Sequence, residues 1–199
     1  LLPSEMMLPE EVFIQKFLEK SLLQYSVKPP EGKKKGPFIM LIDRSGSMWG
    51  QRWETAQAIG IAIGMLAVRE GRKATAYLFD HNYYGPFSLD KPNDLMDMIA
   101  YEPGGGTNYD GVVAEAMKLV ALDATTDIIM VTDGECCMNE TTKTMLRADN
   151  VRLHAVYVDQ ASTDSLKGIA HRMVQIETQA FGDVVAPVYK ILDGIIEGQ

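Results

Sequence analysis

Two short apolar runs, Phe38-Ile-Met-Leu-Ile and Asp127-Ile-Ile-Met-Val-Thr, each pass straight into an aspartate, Asp43 and Asp133. A run without polar alternation marks a strand covered on both faces, because a strand with one wet face would alternate. Helical and strand patterns take turns around these two runs. Apolar spacing predicts helices over 54–69, 93–100 (capped at Asn93), 110–122, 141–146 and 165–170, and a closing helix over 184–196. Further strands are expected at 74–79, 84–88 and 151–158, with an edge strand at 173–176. Strands alternating with helices give an α/β domain: a doubly wound, mostly parallel sheet with helices on both faces. Gly60 and Gly64, four apart on the first of these helices, predict a tight helix–sheet approach.

The domain so outlined fills 37–199. Ahead of it, 1–36 reads as an amphipathic helix, with Phe13, Phe17, Leu18 and Leu22 on one stripe, followed by a linker. The linker contains Pro29-Pro30 and Lys33-Lys34-Lys35, whose charges read as solvated. A length of 199 residues with 46% apolar content is enough for one ordinary core. Acids outnumber bases by 27 to 19, which disfavours a broad nucleic-acid-binding face. The stretch 56–68 contains Gln57 and is too short to span a bilayer, which needs roughly 18–20 residues. No secretory signal pattern opens the chain, which begins at Leu1. The only two cysteines, Cys136 and Cys137, are adjacent and lack zinc-ligand spacing, so they read as inert thiols of a reducing cytoplasm.

In an open parallel sheet, ligands bind where loops leave the carboxyl ends of the strands. Three segments are expected on that rim: Asp43-Arg-Ser-Gly-Ser-Met, Gly104-Gly-Gly-Thr-Asn-Tyr-Asp and Thr132-Asp-Gly-Glu. Singly, each has an ordinary reading as a cap, a flexible loop or a turn. Jointly they offer the carboxylates of Asp43 and Asp133 and the hydroxyls of Ser45, Ser47 and Thr107. An all-oxygen set selects hard cations such as Mg²⁺, Mn²⁺ or Ca²⁺ over Zn²⁺.

This constellation resembles the metal-ion-dependent adhesion site of von Willebrand factor A (vWA) domains. That pattern has D-x-S-x-S on the first loop, a threonine on the second and an aspartate on the third. Asp43, Ser45, Ser47, Thr107 and Asp133 fill its five positions. A narrower likeness joins Leu1-Leu-Pro-Ser-Glu, Leu22-Leu-Gln-Tyr and Lys35-Gly-Pro to the C-terminal region of ViaA-type proteins. It implies the C-terminal portion of a longer protein whose partner is a MoxR-type AAA+ ATPase. Two departures stand out: Asn108 follows Thr107 where an aspartate is usual, and Thr132-Asp-Gly replaces a Ser-Asp-Phe.

The resemblance implies that the three hydroxyls ligate directly, with Asp43 and Asp133 acting through waters and hydrogen bonds. An ion with few charged ligands stays electrophilic and keeps a coordination position for a carboxylate from a partner, a glutamate or an aspartate. Asp110 stands either behind the ligands, orienting them, or as a charge at a helix N-terminus. Glu135 reads as a solvated loop acid; Met48, Trp49 and Trp53 read as partner surface or as core. The expected function is therefore a binding module and not an enzyme. Two alternatives are a metal-dependent hydrolase or phosphatase, and an extracellular adhesion module. Against hydrolysis, none of His81, His154 and His171 is expected to adjoin the metal loops, and no G-x-S-x-G elbow or P-loop is present.

Overall fold

Residues 34–134, 137–159 and 166–178, together with Val12, are described by the computed structural model. The chain forms two compact units, Leu1–Gly32 and Lys33–Gln199. Apart from Val12, the expected N-terminal helix lies outside the described residues, as do the linker up to 33, the closing helix at 184–196, Glu135 and Cys136.

The strands are β1 (Lys34–Asp43), β2 (Ala74–Phe79), β3 (Tyr83–Ser88), β4 (Ala124–Thr132), β5 (Val151–Val158) and β6 (Arg172–Ile176). Among the described residues the helices are α1 (Gln51–Arg69), α2 (Pro92–Ile99), α3 (Tyr109–Met117) and α4 (Glu140–Leu146), with one 3-10 turn at Gly46–Met48. The six strands make one sheet in the order β3-β2-β1-β4-β5-β6. Every neighbouring pair is parallel except β2 with β3, so the expected doubly wound, mostly parallel architecture is present.

The apolar runs are continuous because both faces of the central strands are covered. Phe38, Met40 and Ile42 of β1 pack into one layer with Ile59, Ile63 and Ala67 of α1 and Met98 of α2. Ile39 and Leu41 face the other way, toward Tyr109, Val112 and Ala116 of α3 and Leu146 of α4. Both glycines of α1 mark close approaches, though to different partners. A Cβ on Gly60 would lie 3.1 Å from Ile42 of β1, whereas one on Gly64 would lie 2.8 Å from Leu89, beyond the end of β3. Among the described residues no helix is long and apolar enough to cross a membrane.

Several expected boundaries move, four of them for a clear local reason. β1 begins at Lys34, inside the stretch read as linker, because Lys34 and Lys35 pair with Ala124 and Thr125 of β4 through the backbone before the register shifts ahead of Phe38. Backbone pairing asks nothing of the side chains, so charge patterning misses it. α2 starts at Pro92 with Lys91 as its N-cap, not at Asn93, since proline's fixed φ suits a first helical position. α3 stops at Met117, not 122, because β4 already begins at Ala124 and the Ala121 amide donates to Thr126 Oγ1. The expected helix at 165–170 is a single turn over its described part, closed by bonds from Ile169 and Ala170 to the Leu166 carbonyl; Gly168, at φ +78°, ends it.

Candidate metal centre

Connections from β1 run outward to β2, and those from β4 run the opposite way to β5. The crevice between the carboxyl ends of β1 and β4 is therefore the topological switch point, where open α/β sheets bind ligands. Asp43 is the last residue of β1 and Asp133 follows the last residue of β4; both are buried.

One hydroxyl ties these strand ends together. Thr132 Oγ1 donates to Asp43 Oδ2 at 2.6 Å and accepts from the Gly134 amide at 3.0 Å. Tyr109 Oη lies 2.9 Å from the same oxygen. Threonine has one hydroxyl hydrogen and it goes to Asp43, so Tyr109 is the donor in that bond. Asp43 Oδ1 accepts from the Ser45 amide at 2.8 Å, and the Ser45 and Ser47 hydroxyls stand 3.1 Å apart. Burial pushes the Asp43 carboxyl up to about 6; its bonds from Thr132 and Ser45 offset this in part, and the negative charge of Asp133 adds to it.

The second loop is held by its backbone. The Gly46 amide donates to the Gly105 carbonyl at 2.9 Å, and the Gly104 amide to the Arg44 carbonyl at 2.7 Å. Gly105 sits at φ +82°, a conformation that side chains disfavour. The Asn108 amide donates to the carbonyl of buried Asp80, which follows β2, and Asn108 Oδ1 caps α3 by accepting from the Asp110 amide. Thr107, half-buried, lies on this loop between Gly106 and Asn108.

No family model matches the chain. In sequence it is similar to an uncharacterized protein of Methanocaldococcus jannaschii, 29% identical over 192 residues, which cover 88% of this chain and 44% of the relative. It is also similar to the regulatory protein ViaA of Proteus mirabilis, 26% identical over 209 residues, covering 89% of this chain and 43% of the relative. The chain thus spans less than half the length of these curated relatives. In three dimensions it matches the vWF domain of the type V pili tip protein Mfa5 from Porphyromonas gingivalis, with a TM-score of 0.67 at 14% identity, over 84% of this chain and 97% of that one. The fold is vWA-like.

On this vWA-like frame, Asp43, Ser45 and Ser47 share one loop, and Asp133 faces them from the end of β4. Asp110 Oδ1 accepts from the Asn139 amide at 3.2 Å, tying α3 to the segment after β4. Of the three large residues beside the first loop, Met48 and Trp53 are core, and Trp49, 60% exposed, is open to solvent. The expectation that no histidine adjoins the metal loops fails for His81, whose Nε2 accepts from the Gly106 amide at 3.2 Å. Its distance in sequence concealed this, since β2 delivers residue 81 to the same rim.

Three further residues of the rim escaped the sequence reading. Arg52 donates from Nη1 to the Ser47 carbonyl at 3.0 Å and from Nε to Asp159 Oδ2 at 2.8 Å, and its Nη1 lies 3.5 Å from Asp133 Oδ2. Asp159 follows β5, and its Oδ1 accepts from both the amide and the hydroxyl of Thr178. A lone arginine early in a helix carries no motif, so only the fold reveals this contact.

The donor chemistry fits a hard divalent cation. Among the described residues no group of three or more His, Cys, Asp or Glu gathers as a metal cage would. The rim instead offers two buried carboxylates, with hydroxyls beside Asp43, and a carboxyl raised by burial is one that an added cation would stabilise.

Proposed function

We propose that this vWA-like domain is a metal-dependent protein-binding module, in which Asp43, Ser45, Ser47, Thr107 and Asp133 hold one divalent cation. Mg²⁺ is the natural occupant, with Mn²⁺ or Ca²⁺ as substitutes. When bound, the ion supplies an electrophilic centre with a coordination position for a glutamate or aspartate oxygen of another protein. The observation that carries this reading is the buried Asp43–Asp133 pair at the switch point, with Asp43 raised to about 6. Thr132 and Tyr109 hold the Asp43 carboxylate in place, which supports this reading. In it Thr107 adds a third hydroxyl from the second loop, and Asp110, bonded to the Asn139 amide, either backs the ligands or serves as the charge at the start of α3.

The similarity to a protein named a regulatory protein supports an adaptor role; in this reading the partner is a MoxR-type AAA+ ATPase or its substrate, met in the cytoplasm. Catalysis has less support. His81 stands by the second loop, where its Nε2 accepts from the Gly106 amide and so serves to tether that loop.

The test is capture of a MoxR-type ATPase by the full-length protein, in Mg²⁺ and in EDTA, for wild type and Asp43→Ala. Capture is expected only for wild type in Mg²⁺. Equal capture in all four conditions refutes metal dependence.

A further inference from the structure

Arg52 stands between two acids with different roles. Asp133 belongs to the candidate cation rim; Asp159 does not. The guanidinium lies 2.8 Å from Asp159 Oδ2 and 3.5 Å from Asp133 Oδ2, and it is also anchored on the Ser47 carbonyl. Asp159 is held in turn. Its backbone sits at φ 64°, rare for a residue with a side chain, and its second oxygen takes two bonds from Thr178, at 2.8 and 2.7 Å. Because Asp159 is fixed, it determines how far the guanidinium leans toward Asp133.

An arginine does not lose its proton inside a protein, so this is a permanent positive charge beside a carboxylate that the cation would share. Two positive centres competing for one carboxylate repel each other. The Arg52 side chain is 30% exposed, so solvent screens that repulsion only in part.

We infer that Arg52 sets the cation affinity of the Asp43–Asp133 rim by weakening it, and that Asp159 moderates the effect by drawing the guanidinium aside. The inference rests on the metal reading of the rim and gives that reading a sign: each charge has an opposite effect on cation binding. Removing the arginine tightens binding, and removing its counter-charge loosens it. A purely structural role for the Arg52–Asp159 pair makes a different forecast, since breaking a strut from either end disturbs the rim and weakens binding in both variants.

The experiment is calorimetric titration of MgCl₂ and MnCl₂ alone into wild type, Arg52→Gln, Arg52→Lys, Asp159→Asn and Asp43→Ala, with thermal melts in EDTA to verify folding. Arg52→Gln is expected to bind about tenfold more tightly than wild type, and Asp159→Asn about threefold more weakly. Arg52→Lys, which keeps the charge, stays near wild type. Combining Arg52→Gln with Asp159→Asn abolishes most of the Asp159 effect, because the group it restrained is gone. The inference is overturned if Arg52→Gln binds no more tightly than wild type while Asp43→Ala still abolishes binding. If Arg52→Gln does not fold, unchanged or tighter binding by Asp159→Asn overturns it instead. Wild type that binds neither ion, or Asp43→Ala that binds as well as wild type, defeats the metal reading itself and this inference with it.

Discussion

Two buried aspartates mark opposite ends of the central strands, and they are treated in opposite ways. Asp127, near the start of β4, takes Arg72 Nη2 at 2.6 Å, Arg152 Nε at 2.9 Å and His154 Nε2 at 3.1 Å. Burial pushes its carboxyl up, yet the bonds from His154, Arg152 and Arg72 outweigh that and hold it at about 2. Arg72 is itself fixed, donating to the Gly36 carbonyl and lying 3.6 Å over the Phe38 ring. Asp43, at the far end of β1, has hydroxyl and amide donors, and its carboxyl rises to about 6. The difference teaches what each end is for. A buried carboxylate surrounded by built-in cations is a strut; one left short of positive charge is, in the proposed reading, where a cation would sit.

The largest effect that would sharpen this comparison comes from the strut. Asp127→Ala leaves Arg72 and Arg152 without their carboxylate, at a cost of about 3–5 kcal/mol. Denaturant unfolding should register the same loss in Mg²⁺ and in EDTA. A loss that depends on Mg²⁺ would break the assignment of roles.

Next comes pH. The folded Asp43 keeps a proton up to about 6, whereas the unfolded chain releases it near 3.8. Its contribution is therefore unfavourable above pH 6 and is relieved as pH falls from 6 toward 4. Unfolding of wild type against Asp43→Asn in EDTA isolates it, and the gap should change by about 2–3 kcal/mol across that window. Asp127 runs the other way: its stabilisation is intact above 3.8 and disappears as pH falls from 3.8 to about 2. A flat difference curve for Asp43 between pH 4 and 7 would remove the contrast.

Thr132→Val is the mildest probe. It takes one donor from Asp43 and leaves Tyr109 Oη and the Gly134 amide short of an acceptor, for about 1–2 kcal/mol. Protein carrying it should also show weaker Mg²⁺ binding by calorimetry. Unaltered binding would mean that the Asp43 orientation does not depend on this hydroxyl.

Much of the architecture was legible in particular residues. β2 and β5 coincide with the expected strands at 74–79 and 151–158, because β-rich apolar runs bounded by turns leave little choice. Elements set by backbone bonding or by tertiary spacing were less legible. Lys34 and Lys35 join β1 by pairing with β4, and α3 is cut short by the early start of that same strand. Of the proposed site, Asp43, Ser45, Ser47, Thr107 and Asp133 were named by motif alone. Thr132 and Tyr109 did not: a threonine at a strand end and a buried tyrosine at a helix start have ordinary packing roles until the fold brings them 2.9 Å apart.

Hydrophobic period determined the class of this chain, since helical and strand patterns alternate around two unbroken apolar strands, as in a parallel sheet covered on both sides. The tertiary structure decided which charges meet. Hydrophobic patterning acts along the chain and can be read there, whereas electrostatic compensation acts through space over a few ångströms. That is why the pairing of Arg72 and Arg152 with Asp127, and the position of Arg52 between Asp133 and Asp159, emerged only once the strands were laid side by side.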